Sequence, residues 1–299
     1  MTPLGPILAA TDFSPPARHA ADRAARLAHE TGAALTVMHV LPGDALQPLR
    51  RWLGTGHAVE QQLRDDAQRQ LHALVEELRA SRRASARAVD ACGSVLDEIG
   101  READALDATL LVLGARGAGF LRRMVLGSTS ERLLRRSTRP LLVVRQTPHE
   151  PYRRVLVALD FSPWSAQALA LARRVAPHAR LLLLHAYEVP FEEKLRFAGV
   201  DSATIERYRQ QSRAGATQRV HALAAAGGLR AGDWEACIVE GEASLRIVEH
   251  EQARDCDLVV LGKHGQSPAE ELLLGSVSKH VLAEGSTDVL VSTARDARA

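Results

Sequence analysis

The chain has 299 residues, 46% of them hydrophobic, 25% charged and 4% aromatic, with 38 Lys plus Arg against 36 Asp plus Glu. At about 150 residues per domain this length suggests two domains, each long enough to bury its own core. A formal net charge of +2 makes no attractive field for a polyanion, so nucleic acid is not an expected partner. Lysine occurs only as Lys194, Lys263 and Lys279, and the excess of Arg reads as codon bias rather than as a basic patch. Cys92, Cys237 and Cys256 are too few and too scattered for a disulfide framework or a thiolate metal cage, which fits a reducing compartment. The stretch from Met1 to Ala10 lacks the basic and apolar regions of a secretory leader, and no apolar run reaches the roughly 18 residues that span a bilayer. The expectation is a soluble cytoplasmic protein with no membrane partner.

In chain order, apolar runs alternate with helical periods. The first strand is expected at about 6–11, followed by a helix in which Ala17, Ala20, Ala21, Ala24 and Ala28 follow the i, i+3, i+4, i+7 rhythm of one buried face. A strand at 34–40 precedes a second helix carrying Ala67, Leu71, Leu74, Val75 and Leu78. Strands at 84–91, 109–114 and 140–145 complete the set. The order then starts again. Ala10, Asp12, Phe13, Ser14 and Pro15 recur as Ala158, Asp160, Phe161, Ser162 and Pro163, and Leu113, Gly114, Gly117, Leu126, Gly127 and Ser128 recur as Leu261, Gly262, Gly265, Leu274, Gly275 and Ser276. Every pair is 148 positions apart, as Asp160 is from Asp12. One constant offset near both ends means that the halves share a fold. Copied strands are expected near 154–159, 180–186, 233–239, 257–262 and 287–292. The seam from Gln146 to Arg153, with Pro148 and Pro151, reads as a short linker between domains at 1–147 and 152–299. Repeated βα units imply a parallel sheet covered on both faces by helices, with ligands at the carboxyl ends of the strands.

Two features fall at those ends in each half. Strand one runs into Ala-Thr-Asp-Phe-Ser-Pro and its copy into Ala-Leu-Asp-Phe-Ser-Pro, setting a carboxylate before a helix that Ser14 or Ser162 can cap, with Pro at an early position. Asp12 alone could equally be part of that cap. Strand four runs into Gly114-x2-Gly117-x9-Gly127-Ser128, and its copy into Gly262-x2-Gly265-x9-Gly275-Ser276. Glycine lets a backbone approach a ligand, and the helix opened by Gly127-Ser128 offers free N–H groups and a positive dipole end to a phosphate. Ordinary glycine turns with a Ser cap are the plainer alternative, weakened because the spacing appears twice. No G-x-x-x-x-G-K-[ST] is present, and Gly114, Gly117 and Gly119 do not make G-x-G-x-x-G.

The Asp-Phe-Ser segment followed by G-x2-G-x9-G-S resembles the universal stress protein family in its ATP-binding branch, and the doubling resembles its tandem members. The likeness spans about 4–145 and 153–293. It implies two tandem α/β domains of flavodoxin-like, HUP-type architecture, each a five-stranded parallel sheet of order 3-2-1-4-5 with helices on both faces. It implies further that Asp12 and Val40, with Thr11 beside the carboxylate, approach the adenosine part of ATP. Gly114 and Gly117 would meet the ribose and phosphates, and Gly127, Ser128 and Thr129 the phosphates. In the second half the same places fall to Asp160, Ala186, Gly262, Gly265, Gly275, Ser276 and Val277. Mg²⁺ is the companion expected on the phosphates, near Asp12.

The expected function is that of an ATP-binding regulatory protein of the stress response, with little or no turnover and an unknown protein partner. A slow Mg-dependent ATPase and a nucleotide-free structural or signalling module are the alternatives, and the HIGH and SGGxDS signatures of adenylating relatives are missing. Inside the nine-residue spacer, Arg122-Arg123 in the first copy faces Glu270-Glu271 in the second, so the first site is expected to bind a triphosphate more tightly. Thr11 in place of Leu159 agrees, while Lys263-His264 in place of Ala115-Arg116 pulls the other way. His39 and His185 close strand two and read as structural or ligand-lining. The cysteines read as buried apolar filler, and 192–213 as an exposed loop and helix. Strands 140–145 and 287–292 are expected to pair into a pseudo-dimer within the chain, with a homodimer of chains also open.

Overall fold

The computed structural model describes residues 3–43, 57–115, 127–189, 192–263, 265 and 274–293. The chain forms two compact units whose boundary falls between Pro151 and Tyr152. The first runs β1 (Ile7–Thr11), α1 (Pro15–Thr31), β2 (Leu35–Pro42), α2 (His57–Arg82), β3 (Ala86–Gly93), α3 (Val95–Ala105), β4 (Leu110–Gly114), α4 (Ser128–Arg136) and β5 (Leu141–Val144). The second runs β6 (Arg154–Ala158), α5 (Pro163–Val175), β7 (Arg180–Tyr187), α6 (Glu192–Phe197), α7 (Ser202–Ala226), β8 (Trp234–Glu240), α8 (Ala243–Ala253), β9 (Leu258–Gly262), α9 (Ser276–Glu284) and β10 (Asp288–Ser292).

Within the first unit the strands lie in the order β3-β2-β1-β4-β5, and within the second β8-β7-β6-β9-β10, every neighbouring pair parallel. This is the 3-2-1-4-5 order expected of each half. The central strands are apolar on both faces because both faces are covered: every residue of β4, β5 and β10 is buried. In each sheet the connections turn opposite ways on either side of the first strand. A crevice therefore opens at the carboxyl ends of β1 and β4, and of β6 and β9.

Local chemistry explains the helices. Helix α1 starts where the Ser14 hydroxyl accepts the Ala17 N–H at 3.4 Å with Pro in the first turn, and it stops at Gly32, whose φ of 74° is left-handed. Its buried residues are alanine at 17, 20, 21, 24, 25 and 28, joined by Arg23 and Leu27, and the many small side chains let the helix lie close on the sheet. Helix α2 buries Ala67, Leu71, Leu74, Val75 and Leu78, the face its periodicity predicts. The segment 192–213 contains α6 and the start of α7, and Phe197 in it is exposed. The proline-marked seam is strapped down: Arg23 donates to Glu150 O and Arg26 to His149 O, each at 2.8 Å, and Arg82 to Pro148 O at 3.2 Å. Arg82 also forks onto Asp22 at 2.5 and 2.6 Å.

Candidate functional site

The β1–α1 junction is a tight polar turn. Asp12 is exposed, and its Oδ1 accepts the Ser14 N–H at 3.0 Å and the Ser14 hydroxyl at 2.5 Å. Phe13 between them sits at φ 64°, a left-handed conformation that costs a bulky residue on the order of 1–2 kcal/mol. Two contacts hold it: its N–H donates to Thr11 Oγ1 at 3.0 Å, and its ring stacks on His39 with centroids 4.3 Å apart. The His39 Nδ1 lies 2.8 Å from Thr11 O, which can only accept, so the proton sits on Nδ1 and Nε2 is the acceptor of the neutral ring.

The second unit repeats this turn with a different set of bonds. Phe161 is at φ 60°, its ring is 4.3 Å from His185, and His185 Nδ1 is 2.8 Å from Leu159 O. Asp160 Oδ1 accepts the Ser162 N–H at 2.9 Å, the Ser162 hydroxyl at 2.6 Å and the Ser165 hydroxyl at 2.8 Å. Ser162 makes no side-chain cap bond to α5, where the Ser165 N–H bonds the Ser162 carbonyl at 3.0 Å instead, which corrects the expectation that Ser162 caps as Ser14 does. The Arg219 guanidinium lies 3.9 Å over the Phe161 ring. Burial, helped by the charge of Arg219, holds the His185 imidazole below its ordinary pKa, against the opposing pull of Leu159 O and Asp160.

Across each crevice stands the strand-four junction. Gly114 is not left-handed; a Cβ there would fall 2.8 Å from the carbonyl carbon and oxygen of Pro16, so glycine is required by the approach of α1 to β4. Gly127 N–H bonds Ala115 O at 2.8 Å, and Gly275 N–H bonds Lys263 O at 3.1 Å, so each spacer leaves and returns at one point. Helices α4 and α9 then begin at Gly127 and Gly275 with no side-chain cap. Their first internal bonds are Glu131 N–H to Gly127 O and Lys279 N–H to Gly275 O, both 3.0 Å, so the amides of 128–130 and 276–278 precede the helical ladder. Ser130 and Ser278 tie each helix start to its strand, donating to Gly114 O and Gly262 O at 2.9 Å.

Between the junctions lie two cavities, about 510 Å³ in the first unit and 340 Å³ in the second. Thr11, Asp12, Val40, Gly114, Gly127, Ser128 and Thr129 line the first, and Asp160, Ala186, Gly262, Gly265, Gly275, Ser276 and Val277 the second. Gly117, Arg122, Arg123, His264, Glu270 and Glu271 lie outside the described residues. Thr11 spends its hydroxyl on Phe13 N–H, which makes it a support of the turn as well as a wall. His39 lines the first cavity. Residues missed from the motif reading are the apolar walls Met38 and Ile99, the paired Ser130 and Ser278, and Trp164 with Ser165 in the second cavity. Ser130 and Ser278, like Ile99 and Ile247, share the 148-residue offset, a signal that could have found them.

Cys237 and Cys256 are buried, and burial pushes both thiols up, that of Cys256 to about 12, so neither is a ready nucleophile. Cys92 is half-buried rather than filler, with an Arg64 Nη2 3.5 Å from its sulfur. Among the described residues no group of three or more His, Cys, Asp or Glu is placed to hold a metal ion, and no helix is long and apolar enough to cross a membrane.

Such a unit, a parallel doubly wound sheet with a cavity at its switch point, is a ligand-binding architecture shared by many unrelated activities. The family model described as the universal stress protein family matches residues 4–145 and 151–293, and the chain belongs to that family. Universal stress protein Rv1996 of Mycobacterium tuberculosis is 28% identical over 327 residues, covering 96% of this chain and 94% of its own. Rv2005c of the same organism is 29% identical over 197 residues, of which the match covers 62% of either chain. Among solved structures, a universal stress protein from Archaeoglobus fulgidus superposes with a TM-score of 0.70 at 19% identity, covering 96% and 97% of the two chains. At that identity the likeness speaks for the fold alone.

Proposed function

We propose that this chain is an adenine-nucleotide-binding regulatory protein, with MgATP its principal ligand and little or no turnover. One observation carries the reading: the same constellation is built twice, a strand-one carboxylate facing an uncapped Gly-Ser helix start across a cavity at the sheet's switch point. The pieces fit an adenine nucleotide. Met38, Val40, Ile99 and Leu113 give the first cavity an apolar wall for a base, and Asp12 supplies an acceptor for sugar hydroxyls. The first-turn amides of α4 suit phosphate oxygens. Mg²⁺ would arrive on the phosphates and neutralise them, with Asp12 the nearest carboxylate among the cavity-lining residues.

A binding role is favoured over catalysis because the phosphate end of each cavity is built from main-chain amides and hydroxyls at an uncapped helix start, groups that position a ligand without taking its proton. The first is the tighter ATP site of the two, because its spacer carries Arg122-Arg123 where the second copy carries Glu270-Glu271.

Isothermal titration with MgATP tests the reading together with Ser128→Asp and Ser276→Asp, which set a carboxylate where the phosphates would lie while remaining acceptable at a helix start. Binding by the native chain, weakened about tenfold or more by Ser128→Asp, is the expected result. No heat at millimolar MgATP, or equal affinity in the variants, overturns it.

A further inference from the structure

We propose that Trp164 makes the second cavity selective for adenine nucleotides with a short phosphate tail, a monophosphate ahead of a triphosphate. This rests on the nucleotide reading above and deepens it. The 148-residue correspondence sets Trp164 against Pro16 and Ser165 against Ala17, so the first turn of the helix after strand one is where the sites differ most in side-chain size. Trp164 lines the second cavity, whereas Ala17 is what that turn offers to the first.

Position matters as much as size. The main chain of Pro16 lies against Gly114, the last residue of β4, so this turn borders the side of the crevice where the glycine segment begins. In the second unit Trp164 lines the cavity together with Asp160, Gly275 and Ser276, the groups between which a phosphate chain would lie. The cavity there is about 340 Å³ against 510 Å³. An indole offers one N–H donor and no charge, so it displaces solvent from added phosphates without compensating them.

The sugar end changes in the opposite sense. The Ser165 hydroxyl joins both Ser162 donors on Asp160 Oδ1, fixing the carboxylate before a ligand arrives, and Ala17 gives Asp12 no such bond. The backbone at Gly265 packs close to the other oxygen, since a Cβ there would lie 3.2 Å from Asp160 Oδ2. A well-ordered sugar end beside a shortened tail is a site for a monophosphate.

The chain has three tryptophans, Trp52, Trp164 and Trp234, so the full chain carrying Trp52→Phe and Trp234→Phe reports on the second cavity alone. Titrated with AMP, ADP and ATP in the presence of Mg²⁺, its emission is expected to half-saturate with AMP at about tenfold lower concentration than with ATP. Calorimetry on Ser276→Asp, in which the second site is blocked, measures the first site separately. In Trp164→Ala the preference for AMP at the second site should shrink to about threefold or less, and Trp164→Pro, which copies the first unit, should do the same with helix content unchanged by circular dichroism. The inference fails if ATP acts at the same or lower concentration than AMP, if both replacements keep the ranking, or if the indole ignores every nucleotide while calorimetry detects ATP in the first site. Absence of adenine nucleotide from both sites would instead remove the nucleotide reading, and this inference with it.

Discussion

Arg139 in the first unit and Glu251 in the second are both buried beside the turn that feeds the last strand, and they carry opposite charge. Arg139, 4% exposed, reaches Ala108 O, Asp104 at 2.9 Å and Asp107 at 3.5 Å. At the corresponding places of the second unit stand Thr287 for Arg139 and Glu251 for Ala103. Glu251, 0% exposed, accepts the Ser286 hydroxyl at 2.9 Å, the Thr287 N–H at 3.1 Å and the Ser286 N–H. The backbone hardly differs: Asp107 and Asp255 turn at φ 47° and 46°, and Ala108 and Cys256 bond back to Ala103 O and Glu251 O, both at 2.9 Å. At the opposite ends of the strands, by contrast, Asp12, Phe13, His39 and Ser130 recur as Asp160, Phe161, His185 and Ser278, with the same hydrogen bonds or stacking. A turn that only closes a fold can be held from either side, by a donor or an acceptor. A turn that presents atoms to a ligand must repeat those atoms.

The sharpest break of this comparison is Glu251→Ala. It strips three donors of a buried acceptor and is expected to cost about 2–4 kcal/mol in urea denaturation of the full chain. A loss below about 1 kcal/mol would mean that the second turn holds itself and that the exchange of charge is idle. Next comes Gly114→Ala. The added methyl meets the main chain of Pro16 rather than a movable side chain, so about 1–3 kcal/mol should be lost and α1 pushed from β4. Unchanged stability would show that the glycine there serves the cavity alone.

How far these features could be read without coordinates follows from the same division. The strands are legible because each is a run of Leu, Val and Ala bounded by glycine, proline or charge, and the observed ends lie within about two residues of the expected ones. Helix α1 is legible from its alanine spacing. The site is legible where it is written in repeated glycine, aspartate and serine. What escapes is whatever depends on neighbours far along the chain. Arg219 meets Phe161 only because α7 packs beside the β6–α5 turn, and the three arginines on the seam find carbonyls at 148–150 from two different helices. The Ser14 and Ser162 hydroxyls both bind the aspartate before them, yet only Ser14 also caps its helix, and local sequence holds nothing that separates the two.

A smaller effect sharpens the comparison at the strand-one turn. Ser165→Ala removes one donor from Asp160 Oδ1 and the acceptor of the Asp160 N–H, leaving the carboxylate with the two Ser162 bonds that match those of Ser14 to Asp12. About 1–2 kcal/mol should be lost, as for two hydrogen bonds of ordinary strength at a half-buried turn. The check is the denaturation midpoint together with amide exchange at Ser162, whose N–H keeps its bond to Asp160 in either form.

The smallest expected effect concerns His185. Its folded-state pKa lies below the ordinary 6.5, chiefly because it is buried and secondarily because Arg219 is near, while Leu159 O and Asp160 oppose the shift. The unfolded chain then binds a proton more readily than the folded one. The stabilisation from keeping the ring neutral is complete above about pH 6.5 and declines as pH falls from there toward the folded pKa, below which it changes no further. Replacing Arg219 by Gln removes a repelling charge while keeping a polar chain of related length, so the His185 ring resonances should titrate at higher pH and the acid-side decline should shrink. If His185 titrates identically with and without Arg219, burial alone sets its behaviour, and the guanidinium serves only to pin the left-handed phenylalanine beneath it.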